Sequence, residues 1–150
     1  MTATTSTEIE TYFPTLGRGD AGRDVKAVQQ RLNQLGFALT VNGIFGACTE
    51  GAVKKFQQRR GLKIDGTVGL MTWKALIPPT LQRDSAGPDV EYLQTILRTI
   101  GYALSIDSIF GARTQWGVEK FQKEYGLEVD GIAGPLTWKA LLSAPAIVGE

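Results

Sequence analysis

The chain carries nearly the same text twice. Residues 16–76 align with residues 81–141 at a constant offset of 65, without a gap, and about half of the paired positions are identical. Ile44-Phe45-Gly46-Ala47 returns as Ile109-Phe110-Gly111-Ala112, and Trp73-Lys74-Ala75-Leu76 as Trp138-Lys139-Ala140-Leu141. A repeat of this length replaces the single domain that 150 residues alone would imply with two small modules. A module of about 60 residues buries only about 60% of its unfolded surface, so each core is modest.

No disulfide helps, because Cys48 is the only cysteine and its counterpart is Arg113. It reads as a small structural residue, since a reactive thiol needs an activating neighbour and the chain has no histidine. The lack of histidine removes the usual Ser-His and Cys-His nucleophile pairs and the common zinc ligand sets. No metal site and no cofactor is expected. No stretch reaches the ~20 apolar residues of a membrane span, so no membrane partner is expected. Residues 1–10 lack the basic and apolar regions of a classical signal peptide, which leaves retention, another export route or prior trimming open.

Each module reads as three helices. Val25, Val28, Leu32 and Leu35 line one face of a first helix over 22–35, with Gly36 as a left-handed stop. A second spans about 47–60 with Val53 and Phe56 inward, and a third about 70–77 anchored by Trp73 and Leu76. The second module repeats this with Val90, Leu93, Leu97 and Ile100, then Val118, Phe121 and Tyr125, then Leu136, Trp138 and Leu141. The expected organisation is an N-terminal segment (1–15), module one (16–77), a Pro-Pro connector (78–80), module two (81–142) and a frayed tail (143–150). Pro78 and Pro79 read as a stiff, extended spacer. Thr5 and Glu8 have capping-box spacing, and Ile9, Tyr12 and Phe13 follow it as a short helical turn that docks.

A smaller motif, Asx-Gly-x-x-Gly-x-x-Thr, opens two helices in each module. The copies run from Asn42 to Thr49, Asp65 to Thr72, Asp107 to Thr114 (with Ser108 in the first glycine position) and Asp130 to Thr137. Asx-Gly favours a turn with positive φ, the second glycine suits an N-cap, and Pro135 suits the first helical position. The free N–H groups of such helix starts could also receive a carboxylate or a sugar oxygen. Architecture alone and architecture with binding are both open. The fold class is therefore all-α, two tandem three-helix modules with short Asx-Gly loops opening helices.

These residues resemble the peptidoglycan-binding domain family, small three-helix modules attached to bacterial and phage cell-wall hydrolases. The matching elements are Gly22 to Val25, Gln29 to Leu32, Leu35 to Phe37, the loop from Val41 through Thr49, Val53 to Gln57, Gly61-Leu62, and Asp65 through Trp73. They recur in order in module two. The resemblance implies non-catalytic binding of the cell wall at a shallow groove near the loops. Carried over, the ligand-binding candidates are Asn42, Gly43, Phe45, Asp65 and Gly66, with Asp107, Phe110, Asp130 and Gly131 in module two. Ser108 departs from the pattern and puts its turn in question.

Module two also places Tyr92, Ile96 and Trp116 where module one has Ala27, Arg31 and Gly51. This apolar trio is expected to be an interface, covered by module one, by the Ile9-Tyr12-Phe13 segment or by a second copy of the chain. Charge is uneven as well: module one holds ten Lys/Arg against four Asp/Glu, and module two six against eight. Such asymmetry suits an anionic partner on module one or head-to-tail contact between modules.

Peptidoglycan is the leading partner, with wall association as the expected location and a wall hydrolase or a second copy as further partners. An adaptor that kept the fold and binds protein is the alternative. Nucleic acid is not expected: the basic face of Lys54, Lys55, Arg59, Arg60 and Lys63 is not repeated in module two. An enzyme is the poorest reading, because the recurring Asp65 and Asp130 lie in separate modules and glycoside hydrolysis needs two carboxyls within about 5 to 9.5 Å.

Overall fold

The computed structural model describes residues 12–144, and the chain divides into two units, Met1–Ile77 and Pro78–Glu150. The described residues of unit one contain α1 (Arg23–Gln34), α2 (Ala47–Arg59) and α3 (Leu70–Leu76), and those of unit two contain α4 (Pro88–Ile100), α5 (Ala112–Glu124) and α6 (Pro135–Ser143). No strand occurs among them. Each helix of unit one ends within a residue of its expected boundary, the uncertainty usual for frayed ends. The Thr5–Glu8 box, Ile9 and most of the tail lie outside the described residues.

The first helix of each unit is the hub. The α1 helix packs on α2 and α3, and α4 packs on α5 and α6. The 3.6-residue period explains this, since Val25, Val28 and Leu32 fall on one face and all three are fully buried. Phe45, Phe56, Trp73 and Leu76 fill the rest of the first core, and Phe110, Phe121, Trp138 and Leu141 fill the second. Tyr125 stays half-buried, stacked on Phe121 with centroids 4.2 Å apart.

Four helices stop by one mechanism. Gly36 has φ 100°, and the next residue, Phe37, donates its N–H to Leu32 O at 2.9 Å. Leu62 to Gln57, Tyr102 to Leu97 and Leu127 to Gln122 repeat that 6→1 bond, the Schellman arrangement in which an apolar residue follows the glycine. Four isolated bridges tie the loops down: Leu16 to Val68 and Ala21 to Ile44 in unit one, Leu81 to Ala133 and Ala86 to Ile109 in unit two. In each unit one extended segment before the first helix therefore holds both Asx-Gly loops, one along each part of its length.

Pro78 and Pro79, expected as a stiff, extended connector, fall within unit two. Pro78 is buried, and Pro79 O accepts the Trp138 indole N–H at 3.0 Å. A buried indole N–H needs an acceptor, and the preceding strap supplies one. The same bond recurs in unit one, where Trp73 donates to Pro14 O at 2.8 Å. Phe13 then meets Trp73 edge-on at 5.4 Å, so the described end of the N-terminal segment docks on that tryptophan.

Candidate functional site

The four Asx-Gly loops are closed from inside by four buried glutamines. In unit one, Gln29 of α1 directs its Nε2 at Asn42 Oδ1 (3.1 Å), Ile44 O (2.9 Å) and Thr49 Oγ1 (3.0 Å). Its Oε1 accepts the N–H groups of Asn42 (3.1 Å) and Gly43 (2.8 Å). Asn42 Oδ1 also accepts the Ile44 N–H at 3.0 Å, an Asx-turn. Both ends of the amide are used, and the two Nε2 protons are shared among three acceptors.

Gln57 does the same for the second loop, with Asp65, Gly66, Thr67 and Thr72 in the corresponding places. Gln94 holds Asp107, Ser108, Ile109 and Thr114. Gln122 holds Asp130, Gly131, Ile132 and Thr137. The threonines sit at the third helical position and accept from glutamine, and Gly46, Gly69, Gly111 and Gly134 are the N-caps.

This clamp fixes what the loops present. Asn42, Asp65, Asp107 and Asp130 lie at the surface, while Gly43, Gly66 and Gly131 are buried with their N–H groups taken by glutamine. Phe45 and Phe110, read from the motif as candidates for ligand contact, are core side chains at 1% and 0% exposure. Their period-two neighbours Ile44 and Ile109 turn outward instead, each 58% exposed. Ile64 and Met71 in unit one, and their counterparts Val129 and Leu136, are exposed beside the loops as well.

Two carboxylates in these loops are shifted. The Thr67 N–H and the Gln57 amide hold Asp65 below the usual carboxylate range, and the Gln94 amide and Ile109 N–H do so for Asp107. Ser108 keeps the turn that the motif assigns to glycine, at φ 64° against 77° for Gly43. An L-residue there costs about 1–2 kcal/mol, which the clamp absorbs.

Two members of the apolar trio pack on aromatic neighbours within unit two. Tyr92 stacks on Trp138 (5.9 Å, 15°), and Trp116 meets Tyr102 edge-on at 6.3 Å with the Arg113 guanidinium 4.1 Å above its ring. Tyr92, Ile96 and Trp116 are all half-buried. Cys48 is exposed on the first turn of α2. Among the described residues no group of three His, Cys, Asp or Glu side chains is placed to hold a metal, and no helix is long and apolar enough to cross a membrane.

Paired loops on a three-helix scaffold define a class of small, tandem recognition modules. The chain belongs to the peptidoglycan-binding family: the family model described as "Putative peptidoglycan binding domain" matches residues 21–76 and 86–141, one match in each unit. Curated relatives include the N-acetylmuramoyl-L-alanine amidase CwlM of Mycobacterium tuberculosis, 37% identical over 65% of this chain and 27% of the relative. A "Probable N-acetylmuramoyl-L-alanine amidase" of Bacillus licheniformis is 33% identical over 85% of this chain and 44% of the relative. The chain thus spans less than half the length of either. Among solved structures, the SleB N-terminal domain is 38% identical over 43% of this chain and 90% of that one, with a TM-score of 0.43.

Proposed function

We propose that the chain binds bacterial peptidoglycan without cleaving it, through two linked units that each offer a pair of clamped loops. The observation that carries this reading is the fall of the family match on both units. The proposed surface comprises the outward groups of Asn42 and Asp65 in unit one and of Asp107 and Asp130 in unit two. Buried Gly43, Gly66 and Gly131 shape the turns, and Phe45 and Phe110 support them from below. Wall polymers repeat, and two linked sites on one polymer gain avidity because the second event is intramolecular, with an effective concentration of about mM for a short linker. Any bond cleavage would then belong to another domain or a partner hydrolase, and the place of work would be the wall.

Sedimentation with purified sacculi tests this: the chain should pellet with the sacculi at low salt. A chain that stays in the supernatant, or one that releases soluble fragments from sacculi, would overturn the reading. The adaptor alternative rests on the lack of a classical signal at residues 1–10 and on the apolar trio of unit two, of which Tyr92 and Trp116 have aromatic neighbours inside that unit.

A further inference from the structure

The two units keep one loop scaffold and invert the charge laid over it. In unit one, Lys26 of α1 lies against Gly43, where a Cβ would stand 3.4 Å from Lys26 Cγ, and Lys54 of α2 lies against Gly66, where a Cβ would stand 2.9 Å from Lys54 Cε. At the offset of 65, Lys26 becomes Glu91 and Lys54 becomes Glu119. The carboxylates occupy the same places. Glu91 Oε2 is 3.5 Å from Ser108 Oγ, and Glu119 Oε2 would be 3.1 Å from a Cβ on Gly131.

The loop backbone beneath these side chains is kept. The glutamine clamps and bridges recur in both units, and the left-handed residues recur at 43, 66, 108 and 131. Arg59 at the end of α2 and Lys63 beyond it become Glu124, which pairs with Lys120 at 3.9 Å, and Glu128. Neither Lys26 nor Lys54 holds an ion pair among the described residues, whereas nearby Arg18 is neutralised by Glu50 at 3.1 Å. In unit two the Arg18 counterpart, Arg83, is occupied by Gln115 at 2.9 Å, and Glu119 accepts from the neutral Gln115 amide at 3.1 Å.

Resting on the wall-binding reading above, we propose that the units recognise opposite charges of the wall peptide: unit one takes carboxylates at Lys26 and Lys54, and unit two takes ammonium groups at Glu91 and Glu119. The chain is then a reader of zwitterionic peptide, and its units are not interchangeable. Exposed ion pairs of this kind are each worth about two- to fivefold in affinity, and salt screens them.

The test uses the full chain and sacculi in three forms: untreated, carboxyl-amidated and amine-acetylated. Wild-type affinity at low salt should fall about two- to fivefold on each blocked form for every charge pair removed. K26Q/K54Q should weaken binding to untreated sacculi and lose nothing more on the amidated form. E91Q/E119Q should behave in the same way toward the acetylated form. Lys26, Lys54 and Glu91 are exposed and Glu119 is half-buried, and tryptophan fluorescence checks that both units remain folded. Equal wild-type affinity on all three forms, or equal sensitivity of both variants to both blocks, would overturn the division of charge and leave wall binding standing. Salt-reversible self-association abolished by either variant would also overturn it, since the two faces would then satisfy each other. No retention on untreated sacculi would overturn the underlying wall-binding reading instead.

Discussion

The two units shelter their central tryptophan in different ways. In unit one, Phe13 from the strap meets Trp73 edge-on, α1 is small at Ala27, and Arg31 donates its Nε–H to Leu76 O at 2.6 Å. In unit two the strap position is Pro78, and the aromatic cover comes from α4, where Tyr92 stacks on Trp138. The third helix differs in step. Pro78 follows Ile77, so α3 halts at Leu76, and Arg31 satisfies a carbonyl that would otherwise be left at its end. The α6 helix runs on to Ser143, buries Leu142, and Ile96 replaces the arginine. The comparison teaches that the tryptophan keeps an aromatic neighbour in both units, while the element that supplies it and the angle at which it packs both differ.

Breaking a clamp should have the largest effect. Gln57→Leu leaves the N–H groups of Asp65 and Gly66 and the Thr72 hydroxyl without their partner, at an expected cost of about 3 kcal/mol or more. Urea denaturation should show unit one unfolding early, reported by Trp73, while Trp116 and Trp138 report an unchanged unit two. Gln122→Leu should reverse the order.

The aromatic cover comes next. Tyr92→Ala should destabilise unit two by about 2 kcal/mol, below the range for a fully buried aromatic because the ring is half-buried. The same denaturation experiment reads it, and equal stability of variant and wild type would mean that the stack on Trp138 contributes nothing. Ser108→Gly should stabilise unit two by about 0.5–1 kcal/mol, because it relieves the left-handed strain at a small entropic cost.

The smallest effect is that of acid. Asp65 and Asp107 are held below the usual carboxylate range, so their contribution is present above the unfolded pKa and is lost as pH falls through the folded pKa of each. Carboxyl NMR titration should show both midpoints below 3.8, and stability should be level from neutrality to about pH 5. Asp107→Asn, which copies Asn42 of unit one, should remove that loop from the acid response.

Much of this was legible in the sequence, because helical period and glycine stops are local. Val25, Val28 and Leu32 announce a buried face by spacing alone, and Gly36 and Gly61 mark real left-handed stops. The loops were visible as Asx-Gly motifs, but the clamp was not. Gln29 lies 13 residues before its Asx partner and Gln57 lies 8 before its own, so only the packed helices reveal the contact. A signal existed, since the same two spacings recur at Gln94 and Gln122. Phe45 and Phe110 were candidates for ligand contact because their motif carries them, and alternation along the loop sends Ile44 and Ile109 outward instead. The role of Pro79 was hidden because a tryptophan 59 residues later fixes it.

The straps also determine how the molecule can be dissected. The family matches begin at residues 21 and 86, yet the indole acceptors are Pro14 and Pro79, and the first bridge of each unit starts at Leu16 or Leu81. A half excised at the match boundary would lose a bridge and leave an orphaned indole, at a cost of about 1–3 kcal/mol for the orphan alone. A half that begins upstream of its proline retains both.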